Sequence, residues 1–214
     1  MLQFKPALPD DGIILCLGAH SDDIEIGCAG LLMTLLERNP NLRFHWVVFS
    51  GDDVRERETR AAAAQLLAGA NLTITTHMFR DSYFPQSSAD IKNAFEDLRK
   101  RVTPDLILTH TLADRHQDHR VLSELTWNTF RNHAVLEYEI PKYDGDLAHP
   151  NLFCPVSAEL VQKKVQTLLG CFASQRDHQW FDADLFRGHM RLRGVECNSP
   201  SRFAEAFHAR KLVL

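Results

Sequence analysis

Short aliphatic and β-branched runs recur along this 214-residue chain and alternate with longer stretches of helical period. The run at 13–17 (IILCL) ends in Gly18, and runs of similar kind lie at 44–49 (FHWVVF), 72–78 and 106–108, which predicts four strands. Between them, residues 24–38 predict a helix stopped by Asn39-Pro40. Residues 54–67 are rich in Arg, Glu and Ala, strong helix formers. Residues 88–102 offer Ser87, Ser88 and Asp90 as caps and repeat Ile91, Phe95 and Leu98 on one face. A fourth helix is expected over 119–130.

This β-α-β-α order with short connections is the signature of a parallel sheet covered on both faces. Trp46, inside a predicted strand, reads as core. After Ala134 the pattern loosens. Residues 135–140 read as a further strand, 142–155 as a turn-rich loop, and 157–172 as a helix capped by Ser157. The tail, 180–214, reads as one or two short helices and a final strand. With no internal repeat and no low-complexity linker, the expectation is one domain over 1–214, an α/β, Rossmann-like fold with a mostly parallel sheet.

Composition narrows the class of function. Hydrophobic residues make up 44% and charged residues 24%, the balance of an ordinary soluble globular protein. The net charge of −4, with no long run of Lys or Arg, argues against a nucleic-acid partner or an anionic membrane read through bulk charge. Five scattered cysteines without a C-x-x-C pair disfavour zinc ribbons and thioredoxin-type sites and point to a reducing compartment. Residues 1–12 lack the apolar core of a signal peptide, and no stretch approaches 18 apolar residues, so no membrane span is expected. A cytoplasmic protein is therefore the expectation, with a homo-oligomer left open.

Two polar clusters carry the chemistry. Gly18-Ala19-His20-Ser21-Asp22-Asp23 comes directly after the first predicted strand and opens the first helix. Asp114-Arg115-His116-Gln117-Asp118-His119 comes shortly after the fourth strand. Ligands of open parallel sheets bind outside the carboxyl ends of the strands, so folding can bring the clusters together across nearly a hundred residues. His20 and Asp23, three apart at a helix start, can share one side of the turn. A helix N-terminus also favours ionised carboxylates. Plain helix capping by the Asp pair is the competing reading. Together the clusters supply one His, one Asp and another His, a set that leaves an open coordination position as catalytic zinc requires. Imidazole and carboxylate without thiolate suit zinc, and iron or cobalt could substitute.

Ala19-His20-Ser21-Asp22-Asp23 and His116-Gln117-Asp118-His119 resemble the paired motifs A-H-P-D-D-E and H-P-D-H of the LmbE-like (PIG-L) family of metal-dependent N-deacetylases. Ser50-Gly51-Asp52, Arg57-Glu58, Pro104-Asp105, Ser174-Gln175 and Ala204-Glu205-Ala206-Phe207 extend the likeness in order along the chain. Ser21 and Gln117 stand where the family has proline, and Ile24 where it has Glu.

The resemblance implies one Zn²⁺ per chain held by His20, Asp23 and His119, with Asp22 as general base. It implies His116 as the group that stabilises the tetrahedral intermediate or protonates the leaving amine, and Asp118 as the residue that orients His116. The substrate would be a small N-acetylated amino sugar, with Arg57 and Arg115 as candidate contacts. The remaining histidines lack ligand-like spacing, and His110, at a strand end, reads as structural. A metal-dependent sugar-nucleotide transferase, with Mg²⁺ on Asp22 and Asp23, remains an alternative. The histidines at 116 and 119 count against it because Mg²⁺ prefers oxygen. A non-catalytic sugar- or nucleotide-binding module is the third reading, although the first turn lacks G-x-G-x-x-G.

Overall fold

Side chains alternate across a strand with a period of two, so a strand covered on both faces must be apolar at every position. In the computed structural model, which describes residues 3 and 6–213, β1 (Ile13–Gly18) does this. Ile14 and Cys16 join one hydrophobic layer, and Leu15 and Leu17 join the other. β2 (Arg43–Ser50) splits in the same way, Phe44, Trp46 and Val48 against Val47 and Phe49. The first residues of the segment read against a signal peptide, and Leu214 at the end of the tail, lie outside the described residues.

β3 (Asn71–Phe79), β4 (Leu106–His110) and β5 (Ala134–Tyr138) complete a parallel set. A seven-stranded sheet in the order β3-β2-β1-β4-β5-β7-β6 results, once β6 (Leu152–Pro155) and β7 (Ala204–Ala209) are added. β7 runs antiparallel to both β5 and β6. Helices α1 (Asp23–Arg38), α2 (Asp53–Leu66), α5 (Ala158–Cys171) and α6 (Ala183–Glu196) supply the first layer. Helices α3 (Ser88–Arg101) and α4 (Gln117–Thr129) supply the second. No helix among the described residues is long and apolar enough to cross a membrane.

The α/β expectation holds, and one local reading is corrected. Residues 152–155, read as part of a turn-rich loop, form β6. A four-residue strand containing a proline has little periodicity of its own. It exists because β7 offers it an edge, which is a tertiary cause.

Helix α1, which begins at Asp23 just after the turn that carries His20, is seated by close contact. A Cβ on Gly27 would meet the Tyr138 ring at 2.2 Å, so glycine lets the helix lie flush on β5. Around that contact the helix's own hydrogen bonding is supplemented from outside. Lys164 Nζ donates to the Ile26 carbonyl at 2.6 Å, and the Glu205 carboxylate accepts the Gly30 and Leu31 amides, each at 2.7 Å. Lys164 and Glu205 are buried and paired at 2.6 Å, so each charge is compensated while it satisfies backbone groups.

Candidate active site

The strand order reverses between β1 and β4, and the two polar clusters hang from the carboxyl ends of those two strands. His20 and Asp23 come from the β1–α1 turn, and His116 and His119 from the start of α4. His20 Nδ1 lies 3.2 Å from His119 Nε2 and 3.4 Å from Asp23 Oδ2, and His119 Nε2 lies 3.5 Å from Asp23 Oδ1. A tetrahedral ion with bonds of roughly 2.0–2.1 Å holds its donors about 3.3 Å apart, so each of these separations is close to that of zinc ligands, the two to Asp23 falling on different carboxylate oxygens. All three residues are buried.

Each imidazole has its far nitrogen held by a carboxylate, the arrangement that fixes a ligand's ring and tautomer. Asp114 Oδ2 lies 2.8 Å from His119 Nδ1, and Asp118 Oδ2 lies 3.3 Å from His20 Nε2. Asp81 Oδ1 reaches the same His20 nitrogen at 3.2 Å. Donor atoms of His20, His116 and His119, of Asp23, His110 and His119, and of His20, Asp81 and Asp118 also cluster within 4.8 Å, so the whole pocket is rich in groups that could hold a metal.

Charge tracks this geometry. Burial pulls the His20 imidazole down, but Asp118, Asp23 and Asp81 outweigh it and hold His20 well above the ordinary histidine value. His119 is pushed down to about 3 by burial and the neighbouring His110. Burial would raise Asp23, yet the imidazoles of His119, His110 and His20 keep it well below the usual carboxylate range.

Asp22 is different. It occupies the N-cap position of α1, but its side chain caps nothing. Oδ1 sits 3.3 Å from the Arg55 guanidinium, while Oδ2 is buried with no hydrogen-bond partner among the described residues. Burial and the Asp23 charge push its carboxyl up to about 6, against the pull of Arg55 and His20. Asp23 thus stays firmly ionised, and desolvation raises Asp22 toward neutrality while leaving it mostly ionised at pH 7, poised to take a proton.

His116 caps α4, accepting the Asp118 amide on Nδ1 at 3.3 Å, which leaves its Nε2 as the nitrogen that carries a proton. Asp118 therefore meets His116 through its backbone amide, and its carboxylate, expected to orient that ring, makes its hydrogen bonds elsewhere. Its oxygens accept the Ser82 amide at 2.6 Å and the Phe84 amide at 3.1 Å and face His20. The same segment is gripped by Gln117, whose amide nitrogen donates to the Ser82 carbonyl. Ser82 has φ +64°, a left-handed conformation that costs a non-glycine residue about 1–2 kcal/mol and is held here from both sides. A proline at 117 could not make that bond.

Arg57 and Arg115 are both exposed, and neither guanidinium makes an ion pair or hydrogen bond among the described residues. Arg55 stands where Arg57 was expected, because two residues along a helix is a rotation of about 200°. Four further residues escaped the sequence. His110, fully buried, stacks on His119 with centroids 3.8 Å apart and places Nε2 3.2 Å from Asp23 Oδ2. It is part of the site, and its position at the end of β4 was the available signal. Asp81 lies just beyond the carboxyl end of β3. Asp114 was within the second cluster without a role. Lys142, from the loop read only as a connection, reaches Asp114 Oδ1 at 2.9 Å.

Comparison with known proteins places the chain in a family. A family model described as PIG-L, GlcNAc-PI de-N-acetylase, matches residues 15–130, more than half of the chain and both clusters. YaiS, an uncharacterized deacetylase of Escherichia coli (strain K12), is 30% identical over 138 residues, covering 60% of this chain and 74% of YaiS. In fold, the chain is similar to GalB, the 4-carboxy-2-hydroxymuconate hydratase of Pseudomonas putida KT2440. The TM-score is 0.77 at 18% identity, over 95% of this chain and 98% of GalB. It is also similar to the N,N'-diacetylchitobiose deacetylase of Pyrococcus horikoshii, with a TM-score of 0.69 at 18% identity over 92% and 83% of the two chains. Likeness at that identity speaks for fold alone, and the family match carries the assignment: this chain belongs to the PIG-L family of deacetylases.

Proposed function

We propose that the chain hydrolyses the N-acetyl group of an N-acetylglucosamine-type amino sugar or its conjugate, with one Zn²⁺ held by His20, Asp23 and His119. The observation that carries this reading is Asp22: a buried carboxylate oxygen without a partner among the described residues, beside His20, Asp23 and His119, whose donor atoms lie 3.2–3.5 Å apart. When bound, the metal would supply Lewis acidity, polarising the amide carbonyl and making water more acidic.

The protein's own groups account for the proton traffic. Asp22 Oδ2 accepts a proton from the attacking water, while Arg55 fixes Oδ1 and so the direction of the carboxylate. The new bond joins the water oxygen to the acetyl carbon. His116 Nε2–H donates to the carbonyl oxygen as negative charge develops there. The C–N bond then breaks, the proton held by Asp22 goes to the leaving nitrogen, and a free amine and acetic acid result, the acid giving up its remaining proton to solvent as acetate. Asp118 and Asp114 act one step back by holding the rings of His20 and His119.

The test is acetate release from a panel of N-acetylated sugars by purified protein of measured metal content. Release that scales with bound zinc is expected. A fully metallated protein that releases acetate from none of them would overturn the proposal.

A further inference from the structure

The loop between β5 and β6, residues 139–151, reaches the second motif through two side chains, Lys142 and Asp146. The Lys142 ammonium has three N–H donors, and each has an acceptor: Asp114 Oδ1 at 2.9 Å, Asp146 Oδ2 at 2.8 Å and the Ile140 carbonyl at 3.3 Å. None is left for a substrate. Asp146 Oδ2 also accepts the Arg115 amide at 2.7 Å, so the loop grips the backbone of the motif as well. Asp114 is filled in the same way. Its Oδ1 accepts the His116 amide at 2.7 Å beside Lys142, and its Oδ2 holds His119 Nδ1 at 2.8 Å. The three charged side chains lie out of water, Lys142 9% exposed, Asp146 6% and Asp114 1%.

We infer that Lys142 is a positioning residue of the proposed metal site, acting on His119 through Asp114, an inference that rests on the zinc deacetylase reading. One ammonium stands between two buried carboxylates, and removing it leaves both charges uncompensated and facing each other. Asp114 is then pushed from the place where its Oδ2 meets His119. His119 loses the acceptor that keeps its proton on Nδ1, and with it the tautomer that leaves the Nε2 lone pair on the side of His20 and Asp23. Burial would lower the Lys142 ammonium, but Asp114 and Asp146 outweigh it and secure the charge. An exposed ion pair would contribute little and touch nothing else. This one has a proposed metal ligand at its far end.

Two measurements test it, and neither needs turnover. The first is zinc affinity by chelator competition for the parent, Lys142→Met, Lys142→Arg, Asp114→Asn and the Lys142→Met/Asp114→Asn double variant. Lys142→Met keeps the length and loses the charge, and it should weaken zinc binding by on the order of tenfold, the lower end of the effect of outer partners. Lys142→Arg keeps the charge and should recover most of that loss. In the Asp114→Asn background Lys142→Met should cost nothing further, because the route to His119 is already cut. No loss in Lys142→Met, or the same loss with and without Asp114, overturns the inference. If Lys142→Met does not fold, Lys142→Gln takes its place with the same expectations.

The second measurement is the tautomer of His119 in metal-free protein, read from its ring nitrogens by NMR. The parent should hold the proton on Nδ1, and Lys142→Met should populate both tautomers. A ring that stays entirely Nδ1-protonated in the variant overturns the inference. Zinc that binds and responds to Lys142 in a protein that hydrolyses no acetylated sugar removes the deacetylase reading alone, and a parent that takes up no zinc removes both.

Discussion

Asp118 and His20 meet at 3.3 Å, and the same carboxylate accepts the amides of Ser82 and Phe84. One side chain thus joins a proposed metal ligand to the segment that covers it. Asp118→Asn keeps the size but loses the charge and puts an NH₂ where one oxygen accepts. Such outer partners are worth about 10–100-fold in metal affinity. Chelator competition should show a zinc affinity lowered by that factor, with metal still binding at saturation. An unchanged affinity would detach Asp118 from the metal site.

Asp22 and Asp23 are neighbours with opposite expected failures. Asp22→Asn retains the metal and the fold but cannot take a proton, so kcat should drop by on the order of 10²–10⁴. Asp23→Asn should lose the metal itself. Zinc content and kcat of both variants decide it; a metallated Asp22→Asn protein as active as the parent would remove Asp22 from the chemistry.

Chelation should abolish hydrolysis, and zinc should restore it. His119→Ala should resist that restoration, since it removes a corner of the donor triangle and takes from Asp114 the imidazole it holds. Activity indifferent to chelators in a metal-free preparation would sink the zinc assignment.

Gln117→Pro sets two effects against each other. His116 has φ −68° and ψ 123°, a conformation compatible with a proline at the next position, and the first helical position favours proline. Stability should hold or rise by about 0.4–1 kcal/mol. The Ser82 carbonyl loses its tether, so amide exchange across residues 80–84 should quicken. A lower Tm with unchanged exchange would contradict both halves.

Acid stability should depend on Glu139, which is buried against Arg193 at 2.7 Å and accepts the Ala148 amide at 2.9 Å. Burial would raise its carboxyl, but His189, His208, the Ala148 amide and Arg193 hold it below the usual range. A depressed folded pKa stabilises fully above the unfolded value of about 4.5, and that contribution disappears as pH falls through the folded value. Glu139→Gln should therefore unfold at lower temperature than the parent at pH 7, with the gap narrowing as the solution is acidified below that unfolded value. A constant gap would show that the carboxylate's charge is irrelevant.

The sheet was legible because its strands are buried on both faces. Ile13 to Leu17 and Phe44 to Phe49 had to be largely apolar, and the carboxyl ends of such strands are where ligands go. His20, Asp23 and His119 were legible because short motifs sit at those ends. The partners were not. Asp118 turning to His20, Arg55 displacing Arg57, and Lys142 arriving from a distant loop are all products of packing, in which a rotation along a helix or a loop's return path decides the neighbour. Ser82 is the clearest case, since nothing in Arg80-Asp81-Ser82 announces a left-handed residue held by Gln117 and Asp118.

Helix α1 presents Asp23 from its first turn, directly after the turn that carries His20, yet its later turns are completed by Lys164 and Glu205, far along the chain. The motifs of the proposed site and the groups that seat them therefore belong to different parts of the polypeptide. A fragment ending at residue 130 would contain every proposed metal ligand while leaving the Ile26 carbonyl and the Gly30 and Leu31 amides without these partners. The motif-bearing portion is not a portable module. In evolution or in engineering, an exchange of the C-terminal third must carry a matching acid and base, or the site at the opposite end of the helix loses its footing.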